Sequence, residues 1–125
     1  MSSPSLKILR IGLGITFLWL GYQIWMEPLA WGSFMLPWAQ GLIPGSLESF
    51  MKSTAIGDMF LGLWLIIGWR VWIPALLASL HLIGVLVTTT GSLELAVPRD
   101  IGLLAGTLAI LVDTLPTWIK NKMIK

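Results

Sequence analysis

The chain of 125 residues contains no cysteine, one histidine, one tyrosine and only 11% charged residues. Without cysteine, disulfides, thiolate metal sites, iron–sulfur ligands and thiol nucleophiles are excluded within the chain. A lone histidine cannot build an ordinary zinc site, nor a bis-histidine haem, so no metal site is expected. Eight basic residues against six acidic ones give a net charge of +2. That is too sparse for a phosphate-binding patch, and nucleic acid is not an expected partner. No glycine-rich phosphate cradle is present either, because the glycines fall inside apolar runs and lack a lysine–serine partner. Apolar surface is what the chain does have: 56% of its residues are hydrophobic and the mean hydropathy is +0.85. Soluble domains run about 45–50% apolar and about 25% charged. A small globule could not bury the excess. Lipid is therefore the expected solvent, and the length allows four spans of roughly 20 residues with short connections and no separate catalytic domain.

Four apolar runs stand out, at about 8–26, 55–69, 71–90 and 101–115, the second with a possible start near Leu47. None alternates strictly, so helices are expected over barrel strands. The expected fold class is all-α: a polytopic membrane protein forming an antiparallel four-helix transmembrane bundle as a single domain. Between the second and third runs only Gly68-Trp69-Arg70-Val71-Trp72 is available, which predicts a tight hairpin, and Pro74 suits the first turn of the helix that follows. The basic start before the first run could suggest a signal peptide. Pro28 stands at the −3 position of the candidate cleavage site, however, and the run is read as a retained span.

The first connection, about 28–53, is too apolar for a solvated loop and too broken to span. It carries Trp31, Phe34, Met35, Trp38, Leu42 and Ile43 among Pro28, Pro37, Pro44 and three glycines. Short helical pieces lying in the outer membrane interface are expected there. Ser46 followed by Glu48 has the form of a helix start. Placing both termini in the cytoplasm puts Lys7, Arg10, Arg70, Lys120, Lys122 and Lys125 inside and only Lys52 and Arg99 outside. This obeys the positive-inside rule, and Trp69, Trp72 and Trp118 then mark the inner boundary, with Trp25, Trp31 and Trp38 at the outer one. The cell (inner or plasma) membrane is the expected location.

Ionisable groups inside a span are costly, so each one is a functional candidate. Asp58 lies in the second run, His81 near the middle of the third, Tyr22 and Gln23 at the outer end of the first, and Arg99 and Asp100 at the opening of the fourth. Together they outline an outward-facing pocket of Asp58, His81, Gln23 and Tyr22 under the aromatic first connection. Gly84, Val85 and Thr88 share the His81 face. Blander readings stand beside these. Arg99, Asp100 and Asp113 also read as ion-pair or cap residues, Asp100 capping the fourth helix and Asp113 a final short amphipathic helix, and His81 reads as a hydrogen-bonded core residue. Gly12, Gly14 and the Gly102–Gly106 face read as packing surfaces. Asp58 comes twelve residues before Arg70 and His81 eleven after it, which puts the two at one height on neighbouring helices. A carboxylate–imidazole distance beyond roughly 6 Å, the reach of a bridging water, would rule out a coupled pair.

The stretch Ala55-Ile-Gly-Asp-Met-Phe-Leu-Gly-Leu-Trp-Leu-Ile-Ile-Gly-Trp-Arg70 resembles the second helix of DoxX-like membrane proteins. The opening Arg10-Ile-Gly-Leu-Gly-Ile-Thr-Phe-Leu-Trp-Leu-Gly21 and the late Arg99-Asp-Ile-Gly-Leu-Leu-Ala-Gly106 are similar to that family as well, so the resemblance covers roughly 8–115. Asp58 stands where the family usually carries Glu, and the Gly68–Arg70 hairpin is shorter than the usual pattern. The resemblance implies a four-helix inner-membrane protein. Some such proteins are subunits of quinone-linked sulfur oxidoreductases, and others are linked to membrane responses to oxidative stress. It implies here a subunit of a redox-linked membrane complex, with other membrane subunits as partners and a quinone as a possible ligand. Any sulfur-handling group must then belong to a partner, since this chain has no cysteine. A structural subunit, whose polar residues only fasten helices, and a small transporter or lipid-binding protein are the alternatives.

Overall fold

The computed structural model describes residues 3–89 and 96–124. It is helical: α1 (Pro4–Met26), α2 (Pro28–Gly32), α3 (Pro37–Gly41), α4 (Leu47–Ile67), α5 (Trp72–Thr88), α6 (Ala96–Thr114) and α7 (Thr117–Ile124). Prolines set several starts, opening α1, α2 and α3, where the missing N–H costs no helical bond. Ser46 caps α4, its hydroxyl accepting from the Ser49 N–H at 3.1 Å with Glu48 in the first turn. The second run thus does begin near Leu47, and α4 takes up the last part of the expected interfacial segment. What remains of that segment forms the two short helices α2 and α3. The fourth run begins earlier than 101, since α6 is already helical at Ala96, with Pro98 in its first turn. The expected end of the third run at Thr90 lies outside the described residues.

Two helices, α1 and α4, are long and apolar enough to cross a membrane, and α5 is apolar but shorter. α1 and α4 run antiparallel in close contact. A Cβ on Gly14 would lie 2.7 Å from the Gly62 carbonyl oxygen, and one on Gly21 would lie 2.7 Å from that of Ala55. Bare glycine backbone is what allows this approach. Gly106 packs against Leu13, whereas Gly12 and Gly102 face open space, so only half of the expected small-residue contacts are made. α4 turns into α5 through Gly68, left-handed at φ +85°, and Arg70 at φ +44°. Trp64 Nε1 closes this turn by donating to the Trp69 carbonyl at 2.6 Å. The Arg10 guanidinium lies directly against Gly68.

α1 packs on α4, α4 on α5, α5 on α6 and α6 back on α1, which closes a ring of four helices. Its core is Leu13, Phe17, Leu61, Leu65, Val71, Ala75, Ala78, Leu82 and Ile110. Ser79, buried between α5 and α6, donates to the Thr107 hydroxyl at 2.9 Å. Many large apolar side chains point outward, among them Ile8, Trp19, Phe60, Ile67, Leu80, Val87 and Val112.

Candidate functional site

The ring of helices does not close tightly throughout. At the end that carries α2 and α3 it holds a cavity of about 330 Å³. Phe17, Leu20 and Ile24 of α1 form one wall, and Phe50, Met51, Thr54 and Asp58 of α4 the next. α5 contributes His81, Gly84, Val85 and Thr88, and α6 contributes Arg99 and Asp100. Trp31, Phe34 and Met35 cover it from the α2–α3 segment. That cover is tied to the end of α5. The Leu36 N–H donates to the Thr88 carbonyl at 2.7 Å, and Met35 pairs with Thr89 in an isolated antiparallel bridge. Within the cover, Gln40 Nε2 donates to the Met35 carbonyl at 2.9 Å.

Asp58 and His81 meet in this cavity. The imidazole Nε2 lies 3.0 Å from Asp58 Oδ1, well inside the water-bridging limit, with the N–H donating to the carboxylate. Asp58 is 5% exposed, so the bond compensates a carboxylate taken almost wholly out of contact with solvent. The equal distances from the hairpin set the height, and the rotation of both helices turns the two side chains toward each other. Gly84, one turn on from His81, makes no close helix contact: a Cβ there would meet nothing within 4 Å. Its open side is part of the cavity wall.

Arg99 and Asp100 form the second charged pair, with Arg99 Nε 3.2 Å from Asp100 Oδ1. Asp100 is buried at 3% exposure, while the Arg99 guanidinium lies 5.7 Å from the Trp31 ring centroid. Asp100 does not cap α6, because the helix begins at least four residues before it. Asp113 does not cap α7 either. It is still helical in the last turn of α6, and its backbone carbonyl accepts from Lys120 Nζ at 2.6 Å. Tyr22 and Gln23 do not join the cavity. Helical spacing places Phe17, Leu20 and Ile24 on the inner face of α1, which turns Tyr22 outward. There Tyr22 is 53% exposed, beside Trp19 at 6.4 Å between centroids and a shallow depression with Trp25, Ile56 and Met59. Gln23 is half-buried beside it.

Thr88 lies on the His81 face as its spacing implies, whereas Thr54 and Thr89, and the approach of Arg99 to Trp31, have no counterpart in the sequence reading. The only signal for Thr54 was its position one helical turn before Asp58. Among the described residues no three His, Asp or Glu side chains gather as metal ligands. Chemically, the site offers a carboxylate–imidazole pair and a guanidinium–carboxylate pair facing an aromatic-lined space. Compared with known proteins, no family model, no curated protein and no solved structure matches the chain.

Proposed function

We propose that the chain is a DoxX-like integral-membrane protein of four spans that holds one small amphipathic molecule in the cavity beside Asp58 and His81. It acts as a subunit of a redox-linked membrane assembly. The observation that carries this reading is the carboxylate–imidazole pair, 3.0 Å apart with Asp58 buried, facing an aromatic-lined cavity. Ligand sites are mostly apolar clefts with a few convergent polar groups, of about 300–1,000 Å³. At about 330 Å³ this one suits a single ring and its substituents, not a whole lipid. A quinone head group, the class implied by the family resemblance, has that size.

The four-span arrangement draws support from α1 and α4, from the apolar α5 and from the large apolar side chains on the outer faces. With both termini in the cytoplasm, the cavity lies in the outer leaflet and α2–α3 in the outer interface, where Trp31 and Trp38 suit the boundary. A structural role is the second reading, because the Asp58–His81 bond also fastens α4 to α5.

The two readings separate on the Gly84→Leu variant, which fills the cavity and leaves the pair in place. Mild-detergent extracts of both proteins are analysed by mass spectrometry for released small molecules. Binding predicts a stoichiometric compound from the wild type that drops at least about tenfold in Gly84→Leu. A folded wild type that releases no more than Gly84→Leu does favours the structural role.

A further inference from the structure

The hydrogen-bond inventory of the cavity is unbalanced, and this bears on what it takes. Three threonines line it: Thr54, Thr88 and Thr89. Each spends its only hydroxyl hydrogen on its own helix, on the carbonyls of Met51 at 2.8 Å, Gly84 at 2.7 Å and Val85 at 2.7 Å. Their oxygens have only lone pairs left to offer. His81 gives its Nε2 hydrogen to Asp58 and has none of it left for a ligand. Asp58 and Asp100 are acceptors throughout when ionised, and both are nearly fully buried. Apart from His81 and the Trp31 indole N–H, the donor on the described wall is the guanidinium of Arg99. It sits toward the outside, its side chain 37% exposed, with its Nε on Asp100 and its plane near Trp31. Three threonine oxygens and two carboxylates therefore make the interior of the site rich in acceptors.

Resting on the ligand-binding reading above, we propose that the cavity selects a small amphipathic molecule whose head group donates hydrogen bonds, a dihydroxy-aromatic or an ammonium, and discriminates against heads that only accept. A benzoquinone carries two carbonyl acceptors and would face lone pairs with lone pairs. Its reduced form, the hydroquinone, carries two O–H donors in the same outline. If the occupant belongs to a quinone couple, the site holds the reduced member more tightly, and the apolar wall of Phe17, Phe50 and Met51 takes the ring. The bare backbone of Gly84 lets a flat ring approach the His81 face of α5.

The test uses the full chain in detergent, under anaerobic conditions, with direct binding measured by calorimetry. One probe set is trimethylhydroquinone, trimethylbenzoquinone and the dimethyl ether of the hydroquinone, which keeps the ring and loses both donors. The other is a medium-chain alkylammonium and its quaternary trimethylammonium counterpart, a cation without N–H. Gly84→Leu serves as the blocked site. The inference expects the hydroquinone to bind at least about tenfold more tightly than the quinone and the ether, with binding lost in Gly84→Leu. The same preference confined to the N–H ammonium supports the donor rule and assigns the ligand to the amine class. Quinone, ether or quaternary cation binding as tightly as the donor-bearing member, and lost in Gly84→Leu, overturns the donor rule and leaves the cavity as a binding site. No binding of any probe, or binding unchanged by Gly84→Leu, overturns both.

Discussion

His81 Nε2 stands 3.0 Å from Asp58 Oδ1 across the α4–α5 interface, and this bond joins two helices whose backbones otherwise approach each other sparingly. Removing either partner leaves a polar group of the other facing an apolar surround. A double-mutant cycle of Asp58→Leu and His81→Leu should therefore show coupling of roughly 0.5–2 kcal/mol, the range seen for hydrogen bonds between membrane helices. Reversible unfolding in mixed micelles measures it. Strictly additive losses would mean that the two side chains do not support each other.

Glycine contacts divide the chain into positions that resist a methyl group and positions that welcome one. A Cβ on Gly62 would lie 2.5 Å from the Gly14 carbonyl oxygen, whereas one on Gly12 would touch nothing. Gly62→Ala is expected to cost about 1–3 kcal/mol through forced separation of α1 from α4. Gly12→Ala is expected to gain about 0.5–1 kcal/mol from helix propensity. Opposite signs in thermal unfolding check the α1–α4 packing directly.

At the far end of α4, Gly68 combines a left-handed backbone with the Arg10 guanidinium pressed against its Cα. Gly68→Ala should lose at least about 1–2 kcal/mol from the backbone alone. Adding Arg10→Ala should recover only the steric part. Full recovery in the double variant would show that the backbone conformation is not the constraint.

Much of this was legible in the sequence where a local rule applied. Ser46 and Glu48 announced the start of α4, the five residues from Gly68 to Trp72 left room only for a tight hairpin, and counting from Arg70 put Asp58 and His81 level. Helix rotation was harder to read. α1 is apolar around most of its circumference, so nothing local says that Leu20 and Ile24 face inward and Tyr22 outward. Helix caps are hard to read for a related reason. Asp100 beside Pro98, and Asp113 ahead of Pro116, look like helix boundaries by composition, yet α6 continues through both carboxylates. The role of Gly84 as open wall depends on four helices packing around a gap, which no single run encodes.

The cover over the cavity hangs on the Leu36 N–H donating to the Thr88 carbonyl at 2.7 Å. Leu36 has φ −62°, which proline adopts without strain, so Leu36→Pro deletes the donor and keeps the backbone path. A loss of about 1 kcal/mol and faster amide exchange confined to residues 28–44 are expected. Unchanged exchange there would show that the cover is held by other contacts.

Topology is open to clean labelling, because the chain has no cysteine to remove. Single cysteines in place of Ser5, Arg70 and Asn121 should react only from the cytoplasmic side, and one replacing Glu48 only from the outside. The counterpart site at Glu94 lies outside the described residues and is expected outside the membrane as well. Labelling of Arg70→Cys from the outer side would reverse the placement of the cavity.

One residue reports on the whole site, since His81 is the only histidine. In protein labelled with nitrogen-15 at histidine, the imidazole gives a single set of ring signals. A bound ligand in the cavity should shift those signals in the wild type and leave them unmoved in Gly84→Leu, while Asp58→Asn should alter the Nε2 resonance without any ligand. An imidazole that ignores Asp58→Asn, or that responds to a saturating ligand equally in wild type and Gly84→Leu, would contradict a ligand site built on the Asp58–His81 pair.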